Sequence, residues 1–352
     1  MRRSRAPGKV AILGPIALAV PFAIAAALTA DSSSADEALR FRDPAIVESS
    51  GLVADGDLLV TTNDSGDTGR VFTVDGTGAT VGVTRWAEDP VDVEALAPAG
   101  PGEVWVGDIG DNGAGRDSVS VTRVPVGEGD RTVAEPAVRL VYPDRAHDAE
   151  ALLADPTTGR LYVATKEVFG GTLFEAPAVP DPEGDNRMRP VGPVTGIVTD
   201  GAFFPDGEHL VLRTYSRAVV YTFPALEAVG DFELPEQQQG EGLALAGPDA
   251  LYLSTEGTRA PVLRMPLPAR ILSAMAQSAP ESASESASES AARTDATASP
   301  SARPTADRRV PIQPTVEDLA AEPRDGDVWP WLFGGVVMVL ITITLLRALR
   351  PR

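Results

Sequence analysis

One motif, an acidic residue followed by small residues and an apolar residue, recurs five times between residues 36 and 272 of this 352-residue chain. Each copy is followed by a turn and by an apolar strand that ends in polar residues. The repeated acids are Glu48, Glu94, Glu150, Asp200 and Glu241. If the copies form a ring, these carboxylates meet at one place, where they could hold a hard cation such as Ca²⁺.

The predicted binding residues also include four acids that lie next to this motif: Asp64, Asp108, Asp148 and Glu256. We predict Glu94, Asp111 and Glu150 as the ligands if the site holds a metal, with Ca²⁺ as the expected cofactor. In the alternative interpretation, each acid accepts hydrogen bonds from backbone N–H groups of the neighbouring repeat. Repetition favours this structural role, because a catalytic group is needed only once.

Residues that do not repeat are the better candidates for catalysis. His147 directly precedes an acidic pair, Lys166 is the only lysine after Lys9, and Arg213 interrupts the acidic pattern of the fourth copy. Together they could bind an anion beside a metal or act as acid and base. The alternative is that Lys166 and Arg213 only form ion pairs with neighbouring acids. The other histidine, His209, lies in a turn and is predicted to be on the surface.

Composition and motifs exclude several classes of function. The net charge of -20 argues against a nucleic-acid partner, because phosphate binding needs clustered Lys and Arg. The chain has no cysteine, so it has no disulfide, thiolate metal site or cysteine nucleophile. The GxSxG, HExxH and P-loop signatures are also missing from the sequence.

The spacing of the motif predicts the fold that positions these residues. Successive acids are 41 to 56 residues apart, which matches the length of a four-stranded propeller blade. We therefore predict an all-β fold, a β-propeller of five four-stranded blades. Six blades or a β-sandwich are the alternatives. The fifth copy offers only three strands, so the N-terminal strand ALRFRD (38–43) is expected to complete the last blade and close the ring.

Four segments of the repeats resemble a group of secreted or anchored actinobacterial β-propeller proteins of the WD40-like or phytase/esterase-like kind. They are NDSGD (63–67), GDIGDN (107–112), DAEALL (148–153) and STEG (254–257). The resemblance covers most of residues 45 to 262 and implies a propeller. It brings no catalytic residue with it, and the blades lack the GH…WD signature of true WD40 repeats.

The ends of the chain predict export and a membrane anchor. Residues 1–30 have the basic, apolar and small-residue order of a signal peptide, with an uncleaved signal-anchor as the alternative. Residues 36–272 form the propeller domain, and residues 273–328 are a low-complexity stalk. Residues 329–346 are an uncharged apolar run long enough to span a membrane. The arginines of the tail (347–352) place that end in the cytoplasm.

These features together predict a single-pass protein of the cell membrane with an extracytoplasmic propeller. Its expected function is a binding module for a cell-surface protein, a glycan or a small molecule. The alternative is a metal-dependent hydrolase of phosphate or ester bonds at the acidic mouth of the channel.

Overall fold

The computed structural model describes residues 34–64, 66–87 and 89–278. The predicted signal peptide, membrane span and cytoplasmic tail lie outside these ranges, as does most of the predicted stalk. Within them, no helix is both long enough and apolar enough to cross a membrane.

This part of the chain consists almost entirely of short strands. In chain order its elements are β1 (Asp36–Arg40), β2 (Ser49–Asp55), β3 (Leu58–Asn63), β4 (Arg70–Val74), β5 (Thr80–Trp86), β6 (Val93–Pro98), β7 (Glu103–Asp108), β8 (Val119–Pro125), β9 (Arg131–Val133), β10 (Val138–Val141), β11 (Ala149–Ala154), β12 (Leu161–Thr165), β13 (Gly171–Glu175), β14 (Asn186–Arg187), β15 (Arg189–Val194), β16 (Asp200–Phe203), β17 (His209–Arg213), β18 (Arg217–Thr222), β19 (Ala228–Glu233), β20 (Gly240–Leu245), β21 (Ala250–Thr255), β22 (Pro261–Pro266) and helix α1 (Ala269–Ser278).

The strands form five sheets, which are the blades of a β-propeller. Blade 1 is β2-β3-β4-β5, blade 2 is β6-β7-β8-β10, blade 3 is β11-β12-β13-β15, blade 4 is β16-β17-β18-β19 and blade 5 is β20-β21-β22-β1. Strands β9 and β14 extend the outer edges of blades 1 and 2 by parallel pairing. The prediction of an all-β propeller with five blades is confirmed, and the six-bladed and sandwich alternatives are wrong.

The ring is closed by the N-terminal strand. β1 pairs antiparallel with β22, with Asp36 opposite Arg264 and Arg40 opposite Pro261. Phe41 follows β1 and is completely buried, and its backbone N–H donates to the carbonyl oxygen of Ala260 at 3.1 Å. The last blade therefore has four strands, although its own repeat supplies only three, and the edge of β22 is covered.

Apolar side chains fill the spaces between neighbouring blades. Each of five core clusters joins two adjacent sheets, and the cluster between blades 2 and 3, for example, packs Leu140 and Tyr142 against Leu152 and Phe174. A domain without disulfides depends on burial of this kind for its stability.

The five innermost strands, β2, β6, β11, β16 and β20, contact one another around a central channel. Close contact between neighbouring strands explains why a small residue follows the acid in the motif. A Cβ atom added at Gly51 would overlap the backbone nitrogen of Leu96 in blade 2. One added at Gly242 would overlap Ser254 and approach Leu52 of blade 1. Neighbouring inner strands therefore pack closely at this level.

Helix α1 is an element that the sequence pattern did not predict. It packs on β18 and β19 and buries Ile271 and Met275, so the folded part of the chain continues past residue 272 to Ser278. The prediction that His209 lies on the surface is wrong, because its side chain is only 2% exposed. The His209 ring nitrogens contact Asp206 Oδ2 at 2.8 Å and Ser278 Oγ, at the end of α1, at 3.0 Å.

Candidate functional site at the acidic mouth

One mouth of the channel is formed where the five innermost strands begin, and we call it the acidic mouth. Its inner ring consists of the residue that directly precedes the small residue in each blade: Ser50, Glu94, Glu150, Asp200 and Glu241. All five side chains are buried. Glu48 therefore does not belong to this ring, and a serine occupies the equivalent position in blade 1.

A second, more exposed ring lies two residues earlier in the chain. It consists of Glu48, Asp92, Asp148 and Gln239, in blades 1, 2, 3 and 5. Three of these residues accept a backbone hydrogen bond, at 2.9 to 3.0 Å, from the residue that follows the second strand of the blade. The donors are the N–H groups of Asp64, Lys166 and Glu256. The structure thus brings most of the predicted binding residues to one mouth.

Burial and mutual repulsion make the inner-ring acids weak acids. Burial, followed by the charges of Asp64, Glu150, Asp92 and Glu241, raises the pKa of Glu94 to about 10. Burial also raises the pKa of Glu150 to about 8 and that of Glu241 to about 7, although nearby Lys166 lowers both. At neutral pH this mouth therefore favours the uptake of positive charge, as protons or as a cation.

Three acids of blades 1 and 2 are close enough to share one ion. One carboxylate oxygen from each of Asp64, Asp92 and Glu94 lies within 4.8 Å of the other two. Burial and the charge of Asp64 raise the pKa of Asp92. Gly110 makes room for this group, because a Cβ atom there would meet the Asp92 carboxylate at 2.5 Å. We call Asp64, Asp92 and Glu94 the acidic cluster.

Only one of the three predicted metal ligands belongs to the acidic cluster. Glu94 does, whereas the carboxylate of Asp111 accepts the backbone N–H groups of Gly115 and Arg116 at 3.0 and 2.7 Å. Asp111 therefore fixes the conformation of its own loop. Glu150 stands in the inner ring and accepts a hydrogen bond from Lys166.

Asp108 and Asp148 both accept backbone hydrogen bonds, but only Asp148 accepts one from the neighbouring blade, as the alternative interpretation predicted. Asp108 accepts the N–H groups of Val91 and Asp92 at 3.0 and 2.9 Å and pairs with Arg116 at 2.8 Å. Asp148 of blade 3 accepts the N–H group of Asp111 from blade 2 at 2.8 Å. Both carboxylates thus hold the backbone at the mouth in place.

Asp200 and Arg213 join blade 4 to blade 5. The Asp200 carboxylate accepts the N–H groups of Gly201 at 2.7 Å and of Leu243, in blade 5, at 2.6 Å. Arg213 is completely buried, and its guanidinium donates to the carbonyl oxygens of Gly242 at 2.7 Å and Ser254 at 3.3 Å. A buried arginine held in this way is structural, so the geometry does not support the predicted catalytic role of Arg213.

Lys166 is the candidate catalytic residue that lies at the mouth. Its ammonium group donates to Glu150 Oε1 and to Tyr215 Oη, the latter at 3.1 Å. Burial lowers the pKa of Lys166, but the hydrogen bond and charge of Glu150 outweigh it and the pKa is raised. The second oxygen, Glu150 Oε2, is buried and has no hydrogen-bond partner among the residues that the structure describes.

The side chain of His147 is buried against the core between blades 2 and 3. Its ring nitrogens contact Glu167 Oε1 at 2.9 Å and Asp144 Oδ1 at 3.1 Å. The ring packs against Tyr142 and Phe174, with centroids 4.9 and 5.1 Å away. Like Arg213, His147 is therefore placed for a structural role.

We predict that His147→Asn lowers the free energy of unfolding by about 1–3 kcal/mol, because the change breaks the hydrogen bonds of a buried side chain and its packing against Tyr142 and Phe174. Urea unfolding of the full chain measures this loss. Cation binding at the acidic mouth is expected to be unchanged. A stable variant that had lost cation binding would instead place His147 in the functional site.

Comparisons with known proteins add little to this description. No protein-family model matches the chain, and no curated protein matches it. Among solved structures, it is similar to a chain from the crystal structure of a nidogen/laminin complex, with 14% identity and a TM-score of 0.37. The similarity covers 60% of this chain and 73% of that chain. A similarity this distant carries no information on function.

Proposed function

We propose that this chain is a membrane-anchored, extracytoplasmic binding propeller that takes a divalent cation such as Ca²⁺ at its acidic mouth. The observation that carries the proposal is the acidic cluster, whose three carboxylates converge within 4.8 Å. Carboxylate oxygens are among the ligands that Ca²⁺ prefers.

The buried Glu150 supports the same proposal independently. Its Oε2 atom has no hydrogen-bond partner in the described part of the chain, and a buried acceptor without a partner is costly. Glu150 stands in the inner ring with Glu94, and its charge helps to raise the pKa of Glu94, while the charges of Glu241 and Asp148 help to raise the pKa of Glu150. A cation at the mouth would lower this repulsion for both residues.

Binding is better supported than catalysis. Two of the three candidate catalytic residues, His147 and Arg213, are buried in structural networks. Export, the stalk, the membrane anchor and membership of the actinobacterial propeller group remain predictions from the sequence. A propeller held outside the membrane in this way would present its mouths to a cell-surface protein, a glycan or a small molecule.

We expect Ca²⁺ to raise the melting temperature of the full chain. A cation at 100 times its Kd stabilises a folded protein by about 2.7 kcal/mol, which corresponds to roughly 5–10 °C for a domain of this size. Circular dichroism in Ca²⁺, Mg²⁺ or EDTA measures the shift. Equal melting temperatures in all three solutions would contradict the proposal.

A matched pair of variants locates the site. Asp57 and Asp64 stand directly before and after β3, at opposite ends of the same strand. Asp64→Asn is expected to remove the Ca²⁺-dependent shift, whereas Asp57→Asn makes the same chemical change and should leave the shift intact. If both variants keep the full shift, the cation binds elsewhere.

The position of Lys166 is the observation that favours the alternative function, a metal-dependent hydrolase. Its ammonium group lies at the mouth, where it could hold a substrate anion next to a bound cation. The full chain, loaded with Ca²⁺, should then hydrolyse p-nitrophenyl phosphate or p-nitrophenyl acetate, and Lys166→Met should abolish this activity. A chain that binds Ca²⁺ but hydrolyses neither substrate is a binding protein by this test.

A further inference from the structure

A cavity of about 590 Å³ opens at the other end of the central channel, where the innermost strands end. All five of these strands contribute to its wall, with residues that include Ala54, Pro98, Ala154, Ala202 and Leu245. The polar residues of the motif lie at the strand starts, so the two mouths of the channel differ in chemistry. We call this second opening the apolar mouth.

The cavity does not extend to the acids of the acidic mouth. Between the two, the small residues of the motif bring neighbouring strands into close contact, as Gly51 and Gly242 do against blades 2 and 1. None of the acids of either ring lines the cavity. A ligand at the apolar mouth would therefore bind independently of a cation at the acidic mouth.

The wall of the cavity indicates the chemistry of its ligand. Leucines, alanines, prolines and the rings of Trp105 and Phe203 line it. The charged residues in the lining are Arg123, which pairs with Glu103 at 2.5 Å, and Asp155, which accepts the hydroxyl of Thr158 at 2.6 Å. Because both have partners within the protein, the wall favours an uncharged ligand.

We propose that the apolar mouth is a binding site for a small, neutral, predominantly apolar molecule. Its volume lies within the range of about 300–1,000 Å³ that is typical of small-molecule sites, and such sites are mostly apolar and concave. A partner protein would need a broader surface, on the order of 800 Å² on each side. The concave shape at the centre of the ring thus favours a small molecule over a protein.

Binding of N-phenyl-1-naphthylamine, a neutral apolar fluorophore, tests this proposal. The full chain is kept in an amphipol, and the fluorescence of the probe with amphipol alone is subtracted. We expect saturable binding with a rise in probe fluorescence, together with energy transfer from Trp105 to the probe. Trp105→Phe should reduce this transfer. Binding that does not saturate would overturn the proposal.

Two variants that fill the cavity from different strands provide the decisive comparison. Ala154→Phe and Ala202→Phe each place a ring in the cavity, and each should weaken probe binding by roughly tenfold or more. Phe169→Ala removes a fully exposed aromatic residue outside the cavity and should bind the probe as the natural chain does. Circular dichroism shows which variants are folded. If a folded cavity variant binds the probe with unchanged affinity, the site lies elsewhere and the proposal is wrong.

The test also separates this proposal from the proposed cation site. Asp64→Asn should lose the Ca²⁺-dependent shift in melting temperature and keep full affinity for the probe. Ala154→Phe and Ala202→Phe should show the reverse. A loss of both kinds of binding in one folded variant would contradict the independence of the two mouths.

Discussion

Replacing Arg213 with methionine is expected to destabilise the propeller by about 3–5 kcal/mol, as removal of one partner from a buried charged network does. The side chain is completely buried, and its guanidinium donates to carbonyl oxygens of Gly242 and Ser254 in blade 5. Methionine would fill part of the space but leave these acceptors without a donor. Urea unfolding of the full chain measures the loss.

A surface arginine of the same blade is the matched control. Arg217 pairs with Asp231 on neighbouring strands of blade 4, and both side chains are about half exposed. Because exposed ion pairs contribute roughly 0–1 kcal/mol, Arg217→Met should change the free energy of unfolding by no more than that. If the two substitutions lowered the free energy of unfolding equally, the buried hydrogen bonds of Arg213 would stabilise the protein no more than an exposed ion pair does.

The Asp200 carboxylate decides whether Arg213 acts through charge or through packing. Asp200 faces Arg213 across β16 and β17, and burial raises its pKa while the charge of Arg213 lowers it. With Arg213 removed, the carboxylate would be buried without a compensating cation. The double variant Asp200→Asn/Arg213→Met should therefore lose less stability than the sum of the two single variants. Strict additivity would indicate that the residues act independently.

The fold could be predicted from the sequence because one blade corresponds to one repeat. Turn residues and apolar strands recur at the length of a four-stranded blade, so counting repeats gave the number of blades. The unpaired strand before the first repeat indicated how the ring closes, and β1 pairs with β22 as expected. The number of blades and the closure of the ring depend on the order and spacing of the repeats, and both can be read from the sequence.

The position of the inner ring was harder to predict in blade 1. Aligning the repeats on their acids selected Glu48, but the residue constrained by strand contacts is the small one, Gly51 in this blade. Counting back from Gly51 gives Ser50, which donates to Glu94 Oε2 at 3.2 Å. Glu48 lies three residues before Gly51, whereas the acids of the other blades directly precede their small residue, so alignment on the acids selected a residue two positions too early.

The roles of the non-repeating residues could not be predicted for a different reason. The sequence shows that His147 and Arg213 have no counterpart in the other repeats. It does not show that each side chain is buried inside the protein. Helix α1 was missed although its buried residues, Ile271 and Met275, have helical spacing, since the pattern extends over only one short element. The apolar mouth was missed because its residues have the same composition as the core between blades.

Without divalent cations, the stability of the propeller should fall as the pH rises from about 5 to 9. Glu94 has a pKa of about 10 in the folded protein, whereas its ordinary value is 4.5. Between these values the folded state keeps a proton that the unfolded state has released, so raising the pH favours unfolding. Glu94→Gln keeps the shape of the protonated acid without titrating. It should match the natural chain at pH 5 and exceed its free energy of unfolding by roughly 2–4 kcal/mol at pH 8.5.

Urea unfolding of the full chain in EDTA at several pH values measures this difference, with the exposed Glu227 replaced by glutamine as the matched control. Glu227→Gln should follow the natural chain at every pH. Adding Ca²⁺ at pH 8.5 should restore stability to the natural chain, because the ion takes the place of the proton among Asp64, Asp92 and Glu94. Glu94→Gln should gain little from Ca²⁺. Parallel pH profiles for the natural chain and Glu94→Gln would show that Glu94 is not the group that couples protons, cations and folding at the acidic mouth.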